Sequence, residues 1–359
     1  YWDGQQIILI YMKNAKEELI NNNFLDTLSL KSNSIDDLEN QLEKKDLVID
    51  ELHRKEMERK FSERGIEVLS KNLKEVSVVT DSIVFYNEPG IAPAFYIDGI
   101  SAFPGVPVEL KNMFPKYLDY LKKEFGLNKK LIIRDFIVWG IPESTLEEKI
   151  IGYFNDQKVF LEFLVKDYGI IVRLVTDEDN KELVEELGKK IYSTLGEAVL
   201  YEENRPSQEV LIEKLIKEKM TISLAESCTG GMIAEKLVSV SGASQVFEEG
   251  LVTYSNEAKM KRLGVNKETL DKYGAVSSET VEEMLKGLST DVGIAVSGIA
   301  GPLGGTEEKP VGTVYIGIKL NEELYINRHL FKGDRERIRI RACYTAINNL
   351  LQILRKRGM

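Results

Sequence analysis

Three stretches of the sequence hold residue types that could do chemistry. The first is Glu226-Ser227-Cys228-Thr229-Gly230-Gly231. It joins a strand-like run at 221–225 to a helical run ending near 240. Small residues let the chain turn sharply there and leave the serine hydroxyl exposed. The unpaired N–H groups of a helix start would face the same space and could bind an oxyanion or a phosphate. Ser227 and Thr229 are also ordinary helix-cap residues. Cys228 is a rival nucleophile, although free cysteine in such a setting is more often a small buried residue.

A serine nucleophile needs a base, and the chain has only two histidines in 359 residues, His53 and His329. His53 lies in Leu-His-Arg-Lys-Glu and reads as a solvated helix-face residue. His329, in Asn327-Arg328-His329-Leu330-Phe331, reads as a strand-face residue. Neither supports a Ser–His–Asp triad or a His-rich metal site. The remaining route is a lysine whose pKa is lowered by burial or by nearby positive charge. Lys259 has the right position, in the first turn of a short helix with Asn256 as its expected N-cap. The alternative for Lys259 is a plain surface lysine.

The third stretch is Ser297-Gly298-Ile299-Ala300-Gly301-Pro302-Leu303-Gly304-Gly305-Thr306, following a strand at 292–296. Glycines permit positive φ and a close backbone approach to a ligand, at the end of a strand where α/β sites lie. The spacing fits neither Walker A nor GxGxxG, so it names no nucleotide, and an exposed turn is an equal reading. Arg335, at the start of the last helix, could clamp a phosphate or carboxylate, or simply be solvated.

These residues need elements to position them. Alternating strands and helices over 204–359 give a three-layer α/β domain, with a helix over 207–218 and a long C-terminal helix opened by Gly333-Asp334-Arg335. Region 128–203 reads as β-α-β-α, a small two-layer α/β module without evident chemistry. Its strands are at 130–139 and 169–176, and its helices at 143–154 and 179–195. Region 1–127 holds a possible strand at 6–11, a charged helix over 34–64 and a β-rich run at 77–86. A hairpin at Asp98-Gly99 and a helix over 108–125 follow.

Composition narrows the classes. The chain is 43% apolar and 30% charged, with a net charge of −10, which excludes intrinsic disorder and argues against a nucleic-acid coat. Two well-separated cysteines suggest a reduced, cytoplasmic setting rather than a disulfide scaffold. No apolar run is long enough to span a membrane, and no signal peptide opens the chain. The first residue is Tyr1 rather than Met, as in a fragment or a processed chain.

Taken together, the blocks are more specific than any one of them. Ala225-Glu226-Ser227-Cys228-Thr229-Gly230-Gly231 and Thr253-Tyr254-Ser255-Asn256-Glu257-Ala258-Lys259 resemble the C-terminal domain of the CinA (competence/damage-inducible protein) family. So do Tyr273-Gly274-Ala275-Val276-Ser277, Ser297-Gly298-Ile299-Ala300-Gly301-Pro302, Glu308-Lys309-Pro310-Val311-Gly312-Thr313-Val314 and Gly333-Asp334-Arg335. The resemblance implies a nicotinamide mononucleotide (NMN) amidohydrolase of pyridine nucleotide salvage, releasing nicotinate mononucleotide and ammonia without a cofactor or a metal. It implies Ser227 as nucleophile and Lys259 as base. It places Ser244, Tyr254, Ser297 and Arg335 around the substrate, with Thr229, Gly230 and Gly298 as further binding positions. It also suggests a homodimer; the cysteine usage, the lack of a long apolar run and the acidic balance are what speak for a cytoplasmic chain that binds neither membrane nor nucleic acid directly.

The front of the chain resembles the family's MoaB/MogA-like, molybdopterin-binding type of domain. The resemblance runs through Leu47-Val48-Ile49-Asp50, Asn87-Glu88-Pro89-Gly90-Ile91-Ala92-Pro93-Ala94-Phe95 and Phe103-Pro104-Gly105-Val106-Pro107-Val108-Glu109-Leu110. It implies a second activity, an ADP-ribose diphosphatase needing a divalent metal and potassium. The family's Gly-Gly-x-Gly-Pro-Thr-x-Asp-Asp segment is missing, so residues 1–127 are expected to be an incomplete domain with weak or no such activity. Glu109 reads as a helix-start carboxylate. Region 128–203 corresponds to the family's connecting domain, through Trp139-Gly140-Ile141-Pro142-Glu143-Ser144. A non-enzymatic role beside competence or DNA-repair proteins is a third reading, motivated by the family name alone.

Overall fold

Alternation of apolar and polar positions, and the glycines between them, set out the elements of the chain. The computed structural model describes residues 7–11, 46–97, 100–126, 130–154 and 158–358. The expected Asp98-Gly99 turn and the 34–45 part of the expected helix lie outside the described residues. By contacts the chain divides into two units, Tyr1–Lys130 and Leu131–Met359.

In the first unit, β1 (Ile7–Tyr11), β4 (Ile83–Phe85), β5 (Ala94–Ile97) and β6 (Ile100–Pro104) form an antiparallel sheet in the order β1-β6-β5-β4. Helix α2 (Pro107–Phe125) covers it through Met113, Tyr117 and Leu121, which meet Phe85, Ala94 and Phe103. A two-stranded ladder pairs β2 (Leu47–Ile49) with β3 (Ser77–Val79).

Two expectations are corrected here. The charged helix does not include Leu47 and Ile49, which are strand. Helix α1 is Glu51–Glu63, capped by the Asp50 carboxylate, which accepts from the His53 N–H. His53 is also not on a solvated face. It is 2% exposed, whereas its neighbour Leu52 is 61% exposed. The inward stripe of α1 is His53 and Met57, one turn apart. Asp50 Oδ1 sits 2.7 Å from His53 Nδ1, and the Asn87 N–H donates to His53 Nε2 at 3.2 Å. Both ring nitrogens are thereby engaged, which is what makes a buried imidazole tolerable.

The second unit opens with an antiparallel sheet in the order β10-β7-β9-β8. Its strands are β7 (Leu131–Val138), β8 (Phe160–Lys166), β9 (Gly169–Asp177) and β10 (Val199–Glu202). Helices α3 (Glu143–Ile150) and α4 (Lys181–Leu195) bury Leu146, Ile150, Leu187 and Ile191 on one face. The pattern is therefore β-α-β-β-α-β rather than β-α-β-α. Strand β8 is a half-exposed run at the sheet edge, apolar on both faces except at Glu162 and Lys166, so it shows no alternation, and β10 has only four residues.

The five-stranded sheet that follows has the order β12-β11-β13-β14-β15. Its strands are β11 (Ile222–Glu226), β12 (Phe247–Val252), β13 (Val292–Gly298), β14 (Thr313–Leu320) and β15 (Glu323–Leu330). Strand β11 is parallel to β12 and β13, whereas β14 runs antiparallel to both of its neighbours, β13 and β15. Side chains alternate across it. Ile222, Leu224, Ile294 and Ile316 face α5 (Ser207–Glu218), α6 (Met232–Val238) and α10 (Arg335–Lys356). Ala225 and Ala295 face α7 (Asn256–Leu263), α8 (Lys267–Tyr273) and α9 (Ser278–Lys286). Helix α9 lies close because Gly317 has no side chain; a Cβ there would stand 2.6 Å from Val281 Cγ1. The result is the expected three-layer α/β domain, with the parallel strands β11, β12 and β13 ending on one side.

Candidate active site

Those carboxyl ends hold the serine. Ser227 follows the last residue of β11, and its N–H donates to the Val296 carbonyl of β13 at 3.0 Å. Beyond β12, the Thr253 N–H donates to the Glu226 carbonyl at 2.8 Å, which brings the entry to α7 alongside. Ser255, not Asn256, caps α7; its Oγ accepts from the Ala258 N–H at 3.1 Å. Asn256 is the first helical residue.

The helix turns Lys259 inward, and its side chain is 1% exposed. Lys259 Nζ donates to Ser227 Oγ at 3.1 Å, to the Thr253 carbonyl at 2.7 Å and to the Tyr254 carbonyl at 3.4 Å. Among the described residues no carboxylate pairs with it. Burial disfavours the ammonium and lowers the Lys259 pKa from the ordinary lysine value. Lys259 is therefore a buried amine against a serine hydroxyl rather than a surface lysine. Ser227 is 8% exposed.

The turn after Ser227 differs from the expected open helix start. The Glu226 carboxylate, buried beneath it, accepts from the N–H groups of Gly231 at 2.9 Å, Ile233 at 3.2 Å and Ala234 at 2.8 Å. The positive end of α6 is thus occupied by the protein's own anion. Gly230 N–H donates to the Ser227 carbonyl, and Met232 N–H to the Thr229 carbonyl. Of the N–H groups from 228 to 234, only those of Cys228 and Thr229 have no carbonyl or carboxylate acceptor among the described residues.

Arg339, from α10, reaches the same turn. Its Nε donates to the Cys228 carbonyl at 3.2 Å and its Nη2 to the Thr229 carbonyl at 2.8 Å. Cys228 itself is 5% exposed, and burial pushes its thiol up to about 12, far from the reactive thiolate range.

The other expected positions fall into two groups. Arg335 Nη1 donates to the Gly301 carbonyl at 2.7 Å and its Nη2 to Tyr254 Oη at 3.2 Å, tying the glycine loop to the chain before α7. Ser297 lies beside the serine turn on β13, but its hydroxyl is spent on the Ala275 carbonyl at 2.6 Å. Gly230 forms the turn at φ +61°. Thr229 is fully buried beneath the turn, its Oγ1 without a partner among the described residues. Gly298 is required by packing: a Cβ would lie 2.6 Å from Val314 Cγ2 and 2.9 Å from the Thr313 carbonyl. The structure does not bring Ser244 to the others. It precedes β12, at the end where Ile222 begins β11, roughly 16 Å along the strands from Ser227.

Sequence reasoning missed Glu226 and Arg339. Arg339 was legible in part, since it follows Arg335 by one helical turn and shares its face. Glu226 directly precedes a turn of small residues and a short helix, a setting in which a carboxylate can serve as cap.

In the first unit, Glu109 lies in the first turn of α2 as expected, and its Oε2 accepts from Asn87 Nδ2 at 2.9 Å. Among the described residues no three His, Cys, Asp or Glu side chains come together as metal ligands. No helix among them is long and apolar enough to cross a membrane.

Fold and site define an α/β protein with a buried lysine set against a serine at the ends of parallel strands. Residues 204–354 match the CinA C-terminal domain, and residues 134–200 match the damage-inducible protein CinA KH domain. A CinA-like protein of Fusobacterium nucleatum is 50% identical over 317 residues, covering 88% of this chain and 78% of that protein. The chain belongs to the CinA family. A crystal structure of a competence-damaged protein (CinA) superfamily member from Escherichia coli is 34% identical and covers 41% of this chain and 88% of its own, with a TM-score of 0.40. One of a competence/damage inducible protein from Agrobacterium tumefaciens is 38% identical and covers 41% and 96%, with a TM-score of 0.39.

Proposed function

We propose that this chain is a nicotinamide-nucleotide amidohydrolase that converts NMN to nicotinate mononucleotide and ammonia. The observation that carries the reading is Lys259 Nζ, buried without a carboxylate partner, 3.1 Å from Ser227 Oγ. A lysine so placed is held toward its neutral form and can accept a proton.

In this reading Ser227 Oγ attacks the carboxamide carbon while its proton passes to Lys259 Nζ. The carbonyl electron pair moves onto oxygen. Collapse of that intermediate breaks the C–N bond, and Lys259 returns the proton to the leaving nitrogen, which departs as ammonia. Water then attacks the acyl ester, Lys259 takes its proton, and Ser227 Oγ leaves with that proton. The sum is amide plus water giving carboxylic acid plus ammonia. No cofactor enters.

Arg335 is the residue we assign to the 5′-phosphate, from the rim it shares with Tyr254 and the glycine loop. The reading extends to a homodimer acting on free nucleotide in the cytoplasm.

Ammonia release from NMN by the purified chain tests it. Activity is expected in the parent and absent in Ser227→Ala and Lys259→Ala. Unchanged activity in both variants would overturn the mechanism, and no ammonia from the parent would overturn the substrate.

A further inference from the structure

We infer that Arg339 is a positioning residue, which holds the turn after Ser227 so that the Cys228 and Thr229 N–H groups form the oxyanion hole. The inference rests on the amidohydrolase reading and adds to it a part that neither serine nor lysine supplies.

The argument starts from peptide planarity. In a trans peptide the carbonyl and the N–H point in opposite directions, so fixing one fixes the other. The Ser227 carbonyl is held by the Gly230 N–H at 3.1 Å, which sets the direction of the Cys228 N–H. The Cys228 carbonyl is held by Arg339 Nε at 3.2 Å, which turns the Thr229 N–H away from the guanidinium. The Thr229 carbonyl is held by Arg339 Nη2 at 2.8 Å. The three peptides between Ser227 and Gly230 are therefore each gripped by the carbonyl.

The two N–H groups left over are those nearest the nucleophile. Neither N–H has a backbone or carboxylate acceptor among the described residues, which leaves both able to donate to a ligand atom. The Glu226 carboxylate takes the N–H groups of Gly231, Ile233 and Ala234, and the Thr229 carbonyl takes that of Met232. When Ser227 Oγ bonds to the carboxamide carbon, the negative oxygen that forms is the acceptor these groups lack.

The turn needs a clamp because its own chain is loose. Gly230 and Gly231 both sit at positive φ, +61° and +92°, where glycine moves most freely. Without the guanidinium, the 228–229 peptide is free to rotate and to present a carbonyl where the N–H stood. Arg339 itself is well anchored, since α10 buries Ile338, Ala342, Cys343 and Ala346 in the core. One planar fork can hold two carbonyls, which a lysine ammonium cannot reproduce in the same geometry.

The test compares the parent with Arg339→Ala and Arg339→Lys in the full chain. It reads kcat and KM for NMN, the rate at which a fluorophosphonate probe labels Ser227, thermal unfolding, and rescue by millimolar guanidinium. In the labelling, the Oγ–P bond forms as the serine proton passes to Lys259 Nζ, the P–F bond breaks and fluoride leaves. Labelling needs the oxyanion hole but not the nucleotide. Arg339→Ala is expected to lose about 10²–10³-fold in kcat and a similar factor in labelling, as for removal of an oxyanion donor. KM should move much less. Guanidinium should restore part of both rates, and Arg339→Lys should recover little. A kcat and a labelling rate in Arg339→Ala within about threefold of the parent would overturn the inference. So would a loss that tracks unfolding and that guanidinium does not relieve. If the parent labels at Ser227 but releases no ammonia from NMN, the substrate reading fails, and the labelling arm still decides the role of Arg339.

Discussion

Lys259 Nζ and Ser227 Oγ stand 3.1 Å apart, although 32 residues separate them in the chain. Parallel pairing of β11 with β12 ends both strands at the same level, and α7 then turns the lysine back beneath the serine. Among the described residues no carboxylate pairs with the amine, and its burial lowers the pKa. On the proposed reading it serves as a base rather than as half of an ion pair.

The first prediction concerns pH. Activity should need neutral Lys259, so kcat/KM should rise as pH climbs through a pKa below the ordinary lysine value, as its burial dictates. Lys259→Arg keeps a proton at all accessible pH and should lose about 10²–10⁴-fold. A pH–rate profile of the parent beside that variant decides it; an arginine variant with near-parental rate would remove the lysine from the mechanism.

Stability should depend on the same residue. The folded-state pKa of Lys259 is lowered, so between that value and the unfolded one the unfolded chain binds more protons and stability rises with pH. Below the lowered pKa the penalty for burying the ammonium is present in full; above the ordinary lysine value it is gone. Lys259→Met lacks this dependence. Its stability relative to the parent should therefore fall as pH is raised from neutral toward 10, as measured by urea unfolding across that range.

Cys228 should be dispensable. Its thiol is pushed up to about 12, so it is not a thiolate at neutral pH. Cys228→Ala is expected to keep activity within about tenfold, and iodoacetamide should leave the folded parent active. Inactivation by a thiol reagent that substrate prevents would reopen the case for cysteine.

Gly298 should matter to folding before it matters to binding. An alanine Cβ would collide with Val314 Cγ2 and the Thr313 carbonyl, so Gly298→Ala is expected to cost about 1–3 kcal/mol. Denaturant unfolding measures the loss. A variant as stable as the parent but weaker in KM would make Gly298 a ligand contact.

Much of this was legible in the sequence, for identifiable reasons. Scarcity of histidine is a matter of counting, and it left lysine as the base for any serine nucleophile. The helix Ser207–Glu218 stands where its apolar spacing predicts, because local periodicity and core packing agree there. What escaped depends on partners distant in the chain. Arg339 meets Cys228 and Thr229 across 111 and 110 positions, a relation no local pattern carries. His53 sits among charged neighbours, yet its burial is set by Asn87, 34 residues away. Ser244 stands in the same C-terminal domain as Ser227 but precedes a strand rather than following one, and direction along a strand is a property of the sheet.

Helix α10 has 22 residues, a rod of roughly 33 Å. Its first turns carry Arg335 and Arg339. Farther along, Asn348 Nδ2 donates to the Tyr168 carbonyl at 3.0 Å, Tyr344 lies beside Tyr168, and Arg355 reaches the Gly196 carbonyl. The small α/β module is thus the bearing on which the far end of that rod rests. A polypeptide cut at 204 would keep both arginines but lose the seat of the beam that carries them, and the fully buried Asn348 would become a polar group on a newly wetted face.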